Sequence, residues 1–439
     1  MKKIQTRKRW IIIACVLAVS LLAGGLTMLI LHRRDAELDR IQDEALQELY
    51  DHRGQYDEQS IVLSDTTRSR AETLAKAFGA KLRITSDGSF AALTLPEGVT
   101  VFDVYENKSN RAYIQYMSLD YHATISDVLA SDETDEEETY EHSPARPQYS
   151  VTDTEYERQV YLDYINMSTA WATTQGSNMT VAVIDTGIDT DHPEFAGRIS
   201  EYSYNASQDR IVKDWTVDGG AYDWSLIEDE QGHGTAVAGV LAAAMDGSGV
   251  VGIAPRVNII VIKAECNENG EFKRTSDLVF GLYYAIERDV AVVNMSFVTK
   301  EPQNPFAEAT RLAVDSDVIC IAAAGNDARA GAQYPAADEN VFGVGALADG
   351  SFELADYSNY GENVDLVAPG TVYTAVMGGA TEECREPLSQ RPSCRVLSPC
   401  IWQGIRIRNS LRCRRCCGHP AMIWVSWGPI GITVTVHWT

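Results

Sequence analysis

The sequence predicts an α/β domain over residues 151–380, with a parallel sheet and helices on both of its faces. Apolar runs of strand length alternate there with runs of helix length. This alternation requires crossover connections, which place helices on the two faces of a parallel sheet. The predicted strands are 179–184, 257–263, 290–295, 318–323 and 341–346, and the predicted helices are 233–245, 275–288 and 306–315. Functional groups in such a sheet collect at the carboxyl ends of the strands.

Residues 1–34 predict a cytoplasmic basic flank and a transmembrane anchor. Lysines and arginines precede the apolar stretch 10–31, which exceeds the roughly 20 residues needed to span a bilayer. A cleaved signal peptide is the alternative. The run is longer than the usual apolar region of about 7–15 residues in such peptides, and no Ala-x-Ala site follows it. We therefore expect a single-pass protein of the cell membrane, with the α/β domain outside the cell.

Three segments follow the anchor. Residues 35–60 predict a stalk helix, because apolar residues recur at helical spacing up to Tyr50. Residues 61–125 predict a small α+β domain. Its predicted strands are 61–63, 81–84, 90–95 and 99–104, around a helix at 68–78. Residues 126–150 predict an acidic linker, since their carboxylates repel one another and there is little apolar surface to bury.

Composition excludes some classes of function. The formal net charge is −25, so we expect no nucleic-acid partner. Only Cys15, Cys266 and Cys320 precede residue 381, so no disulfide framework is indicated there.

Two polar residues stand where predicted elements meet the sheet edge. Asp185 ends the apolar run that starts at Val181 and is followed by Thr-Gly, and His233 opens the helical sequence His-Gly-Thr-Ala-Val-Ala-Gly. An aspartate at a strand end can hold one ring nitrogen of histidine, so that the other nitrogen takes a proton from a hydroxyl. Together these residues look like two thirds of a Ser-His-Asp triad.

A third motif is the apolar strand that begins at Val318 and ends in Gly325-Asn326. A side-chain amide at a strand end can donate to an oxyanion as it forms. The chain also contains Gly-Ile-Ala-Pro at 252–255, Asn-Met-Ser-Phe at 294–297 and Val-Ala-Pro-Gly at 367–370. In this order, the motifs make residues 151–372 resemble the subtilisin-like serine proteases. The resemblance implies a serine endopeptidase that acts on peptide or protein substrates and requires no cofactor.

The resemblance also implies roles for the matched residues. Asp185 would be the triad acid, His233 the general base and Asn326 the oxyanion donor. Substrate contacts would come from Ser296, Phe297, Val298, Ala323 and Gly325. The strand 296–298 would pair with an extended peptide. Val298 stands where the family usually has glycine, which predicts a narrower cleft.

The resemblance extends to a propeptide and a metal. By position, residues 61–125 resemble a subtilase propeptide, which folds beside the catalytic domain and blocks it. A plain spacer domain is the alternative. Glu194 and Asp246 match positions near a calcium site of the family, which predicts a structural calcium ion. The alternative is that these loop carboxylates are simply solvated.

The nucleophile serine is missing from its expected place. No Gly-Thr-Ser follows His233, and from about Thr381 the composition changes to eight arginines without lysine, three glutamates without aspartate and six of the nine cysteines. The spacing of these cysteines does not fit a zinc module.

When the codons for residues 384–402 are read with a shift of one base, they can encode Ser-Gly-Thr-Ser-Ile-Ala-Ala-Pro followed by ten further residues. The encoded sequence resembles the missing nucleophile helix of the family. We therefore interpret residues 381–439 as an out-of-frame tail and the catalytic domain as incomplete. The chain as written is predicted to lack peptidase activity. The alternative is a non-catalytic pseudoprotease that keeps the cleft for binding peptides.

Overall fold

The computed structural model describes residues 33–125, 150–217, 219–299 and 304–384, together with two strands within 421–438. The chain divides into two units, Met1–Asp120 and Tyr121–Thr439. The predicted anchor at 10–31 and most of the predicted acidic linker lie outside the described residues, as do residues 385–420. In the described part of the chain, no helix combines the length and the apolar character needed to cross a bilayer.

The first unit contains residues 61–120 of the α+β domain, which is predicted to extend to residue 125, together with the helix before it. Its helices are α1 (33–51), α2 (Arg68–Phe78), α3 (Val101–Glu106) and α4 (Arg111–Ile114), and its strands are β1 (Tyr56–Leu63), β2 (Lys81–Ile84), β3 (Ala91–Thr94) and β4 (Ser118–Tyr121). The strand order is β2-β3-β1-β4. Helix α1, predicted as a stalk, packs on this unit, because Gln42 donates to the Tyr105 carbonyl at 2.5 Å and Leu49 is fully buried.

One predicted strand of this unit is wrong. Residues 99–104 are rich in β-branched and aromatic side chains, but they do not form a strand. Thr100 is the N-cap of α3, and residues 101–104 form its first four residues. Thr100 Oγ1 accepts a hydrogen bond from the Asp103 N–H, and the Asp103 carboxylate accepts one from the Thr100 N–H. This reciprocal capping box satisfies donors at the helix start. The local cap therefore prevails over the strand propensity of Val, Phe and Val.

The second unit contains the predicted α/β domain. Its helices are α5 (Tyr161–Tyr164), α6 (Met167–Trp171), α7 (His233–Ala242), α8 (Thr275–Glu287) and α9 (Ala307–Asp315). Its strands are β5 (Ala123–Ile125), β6 (Thr180–Asp185), β7 (Tyr204–Asn205), β8 (Arg210–Ile211), β9 (Asn258–Lys263), β10 (Glu271–Phe272), β11 (Val292–Met295), β12 (Phe297–Thr299), β13 (Ile319–Ala323), β14 (Val341–Leu347), β15 (Leu366–Pro369), β16 (Val372–Val376), β17 (Ala380–Cys384), β18 (Ala421–Gly428) and β19 (Gly431–Trp438).

The main sheet has the order β15-β14-β13-β11-β6-β9-β7-β8 among the described residues. Its neighbours run parallel, except for the antiparallel pair β7 and β8. The predicted parallel sheet is thus confirmed, with every predicted strand found within two residues of its expected bounds. Its central strands are buried along nearly their whole length, as expected when helices cover both faces.

The parallel registers bring several strand ends to one edge. Ile184 of β6 pairs with Met295 of β11, which in turn pairs with Ala322 of β13. Asp185 pairs with Lys263 at the end of β9. This edge of the sheet therefore gathers the residues that follow these strands.

The hairpin of β16 and β17 follows the last strand of the main sheet in the chain. Val372 pairs with Cys384 and Ala375 pairs with Thr381, so the first residues of the predicted tail belong to a regular two-stranded ladder. Further along the chain, β18 and β19 form a second hairpin in which Ala421 pairs with Trp438.

Candidate active site

Asp185 and His233 meet at the carboxyl edge of the sheet. His233 Nδ1 lies 2.8 Å from Asp185 Oδ1, and their side chains are 1% and 0% exposed. Asp185 is the last residue of β6 and His233 the first of α7. The arrangement suits an ionised carboxylate that accepts from Nδ1–H, which leaves Nε2 to accept a proton. The sequence predicted this pair.

Close contact between the start of α7 and the loop after β6 brings the pair together. A Cβ on Gly234 would lie 2.2 Å from the Gly187 carbonyl oxygen, and one on Gly187 would lie 2.6 Å from the Ile227 carbonyl oxygen. Gly187 also has a φ of +126°, which L side chains rarely adopt. Glycine is therefore required at both positions for the helix start to approach the strand end.

Asn326 lies on the loop that leaves β13 at the same edge. The buried side chain of Asn359 braces this loop, since its Nδ2 donates to the Ala324 carbonyl at 3.0 Å and its Oδ1 accepts from the Asp327 N–H at 3.0 Å. Gly325 has a φ of +107°. The sequence predicted Asn326 but missed Asn359, which is 33 positions away and carries no motif of its own.

The strand predicted to pair with a substrate already pairs with another part of the chain. In antiparallel register, β5 lies between β12 and β10, so Thr124 faces Val298 on one side and Glu271 on the other. The Ile125 N–H donates to the Gly270 carbonyl at 2.9 Å. Residues 123–125 are therefore added to β10 and β12 as an extended strand, which is also how extended peptides bind by strand addition.

Side chains at this position are fitted closely. Ile125 is 7% exposed, and a Cβ on Gly270 would lie 2.6 Å from Ile125 Cγ1. Val298 takes part in the ladder despite standing where glycine was expected. Its presence does not prevent pairing, although the width of the cleft for other peptides stays a prediction.

The remaining predicted substrate residues differ in what they can offer. Ser296 is 2% exposed and its hydroxyl accepts from Asn294 Nδ2 at 2.9 Å. Ala323 is 3% exposed and packs with Ala346 and Ala355. A peptide contact at Ala323 would therefore come from its backbone.

Comparison with known proteins decides the family. The model of the subtilase family, Peptidase S8, matches residues 176–394. The chain belongs to the subtilase family. It is 35% identical over 226 residues to the intracellular serine protease of Paenibacillus polymyxa, covering 50% of this chain and 64% of that protein. It is 35% identical over 201 residues to the major intracellular serine protease of Bacillus subtilis strain 168, covering 45% and 59%.

This subtilase thus spans less than two thirds of these relatives' lengths. Fervidolysin from Fervidobacterium pennivorans, a keratinolytic enzyme related to subtilisin, has a similar fold. The TM-score is 0.62 at 23% identity, over 75% of this chain and 52% of that one.

The predicted calcium residues face a third carboxylate that the sequence did not reveal. Burial raises the pKa of Glu194 to about 7, and the nearby charges of Asp246 and Asp153 add to the increase. Asp153 is buried, its pKa is also raised by burial, and its Oδ2 lacks a hydrogen-bond partner. These hard oxygen donors suit calcium.

The same carboxylates also hold the surrounding backbone. Glu194 accepts hydrogen bonds from the Ala244 and Val250 N–H groups, and Asp153 accepts from the Asp246 and Gly247 N–H groups. Within the described residues, no group of three His, Cys, Asp or Glu side chains is arranged to hold a metal ion. The calcium site therefore stays a prediction.

Proposed function

We propose that this subtilase is the precursor of a serine endopeptidase and that the chain as written is inactive. The observation that carries the proposal is the buried Asp185–His233 pair, 2.8 Å apart, beside a strand that accepts an extended peptide segment. The family relationship makes peptide-bond hydrolysis the best-supported reaction for this pair. Inactivity follows from the absence of a Gly-Thr-Ser sequence after His233.

The proposed chemistry assigns one task to each residue. Asp185 holds the His233 ring by Nδ1, so that Nε2 can remove a proton from a serine hydroxyl and return it to the leaving amine. The Asn326 amide donates to the oxyanion. The described residues supply these groups, and the serine would come from the shifted reading frame.

We further propose that residues 61–125 are a propeptide whose end blocks the cleft. The pairing of β5 with β10 and β12 supports this proposal, because the segment that directly follows residue 120 takes the place of a substrate. The plain spacer domain gains no such support. Anchoring by residues 10–31 and an extracellular catalytic domain remain part of the proposal.

The second candidate is a peptide-binding pseudoprotease. It is favoured by one observation, namely that the cleft strands pair with a peptide segment in a chain without the nucleophile motif. Both candidates predict binding, so only covalent chemistry separates them.

A fluorophosphonate serine probe provides that test. The chain as written should not react, whereas the chain with its reading frame restored before codon 384 should be labelled. A labelled serine in the chain as written would overturn the proposed inactivity. A restored chain that folds, loses residues 61–125 and still neither reacts nor cleaves peptides would favour the pseudoprotease.

A further inference from the structure

Asp229 organises the loop that delivers His233. It lies four residues before His233 and is 5% exposed. Its Oδ1 accepts from the N–H groups of Gln231 and Gly232 at 3.0 and 2.8 Å, and its Oδ2 accepts from the hydroxyl and N–H of Thr235 at 2.6 and 2.9 Å. A single carboxylate thus holds both sides of His233 in the sequence.

The same carboxylate reaches the loop that follows Asp185. The Thr186 hydroxyl donates to Asp229 Oδ1 at 2.9 Å and accepts from the Gly234 N–H at 2.9 Å. The Thr186 N–H in turn donates to Asp185 Oδ1 at 2.8 Å, the oxygen that faces the His233 ring. Asp229 is therefore bonded to both partners' loops, through atoms other than the reacting ones.

We propose that Asp229 is a positioning residue that holds the His233 ring in register with Asp185. The inference rests on the proposed function only in treating His233 as the base. Buried hydrogen bonds to a charged acceptor are among the stronger ones, and removing the acceptor leaves buried donors unsatisfied. Without the Asp229 carboxylate, the start of α7 and the loop after β6 lose the hydrogen-bond acceptor that they share. His233 Nδ1 then moves beyond hydrogen-bond distance of the Asp185 carboxylate.

The test uses the full chain as written, because the Asp185–His233 contact needs no nucleophile. Selective ¹⁵N labelling of histidine allows NMR to follow the Nδ1 proton of His233 and its exchange with water. The variants are Asp229→Ala, Asp229→Asn and the milder Thr186→Val. Glu230→Gln is the matched control, since that side chain is 86% exposed in the same loop. Val341→Ala controls for general destabilisation, because Val341 is fully buried on a distant strand.

We expect the Nδ1 proton of Asp229→Ala to exchange roughly tenfold to a hundredfold faster, the range for loss of a hydrogen bond to a charged group. Asp229→Asn and Thr186→Val should show smaller increases, and both controls should leave the signal unchanged. If Asp229→Ala does not fold, Thr186→Val and Asp229→Asn decide the question.

An unchanged signal in folded Asp229 and Thr186 variants, or an equal change in Val341→Ala, would overturn the positioning role. Absence of a protected Nδ1 proton in the parent chain would instead count against the acid–base pair of the proposed function.

Discussion

Truncating Ile125 should open the substrate cleft. The side chain is 7% exposed and lies against Gly270, at the end of a strand only three residues long. Replacing a buried isoleucine by alanine typically destabilises the surrounding structure by about 2–5 kcal/mol, and Ile125→Ala is a substitution of this kind. The lower part of that range, about 2–3 kcal/mol, applies at a strand end that can relax. It corresponds to a roughly 30- to 150-fold larger population of the open cleft.

A peptide added in trans reports this population. A labelled peptide with the sequence of residues 119–125 should compete with β5 for β10 and β12, and its apparent Kd varies inversely with the open fraction. Fluorescence anisotropy should therefore show binding to Ile125→Ala that is tighter by about the same factor, 30- to 150-fold. Hydrogen exchange at residues 297–299 should also accelerate in the variant without peptide.

Ile211→Ala is the control for this experiment. Ile211 is a partly buried residue of β8, an edge strand of the main sheet, whereas β5 belongs to the separate sheet β10-β5-β12. Its truncation should therefore not change peptide affinity. If folded Ile125→Ala and the parent chain bind the peptide equally, β5 does not compete for the cleft, and our interpretation of β5 as a substrate-like strand is refuted.

Three further predictions follow from the same geometry. Restoring the reading frame before codon 384 should yield peptidase activity. Asp185→Ala or His233→Ala should then lower kcat by several orders of magnitude. Asn326→Ala should lower kcat by about a hundred- to a thousandfold, which is the range known for removal of an oxyanion donor from subtilisin itself. Equal losses for all three variants would contradict these roles. Millimolar calcium should raise the Tm of the chain above its value in EDTA. Glu194→Gln should reduce this increase in Tm, whereas the control Glu268→Gln, at an exposed position, should not. Calorimetry that shows no effect of calcium on the parent chain would exclude the site. Gly234→Ala should destabilise the fold by more than about 2 kcal/mol, because its Cβ would lie 2.2 Å from the Gly187 carbonyl oxygen, and urea unfolding with a ΔΔG near zero would show that this contact relaxes.

The sheet could be predicted from the sequence because its strands are fully buried. A buried parallel strand is a continuous apolar run, and the helices between such runs are long enough to show their own character. The prediction failed at 99–104, where a side-chain cap decided between helix and strand. It also missed β5, since three residues are too few to show a period.

The contact between Asp185 and His233 could be predicted because each of the two residues lies in a local motif. Its supporting residues could not be, because their role depends on contacts between distant parts of the chain. Asn359 braces a loop more than thirty positions earlier, and Asp153 faces a loop more than ninety positions later. Asp229 lies only four residues before His233 in the sequence, but a single acidic residue in a loop is usually solvated. Only the buried contacts distinguish it.

In the proposed function, the cleft does not require the nucleophile in order to form. The groups of the proposed site all precede residue 384, namely Asp185, His233, Asn326 and the strands that flank β5. The residues that contact these groups also precede residue 384. The hairpin of β16 and β17 continues to Cys384, and Thr374 donates to the Ala236 carbonyl of α7 within that part of the chain. The composition of the sequence changes from about Thr381, within this hairpin. In the proposed function, binding and proton transfer therefore depend on one part of the chain and the nucleophile on another. A chain altered after residue 384 would then keep the peptide-binding strand while it lacked the group that cleaves the peptide.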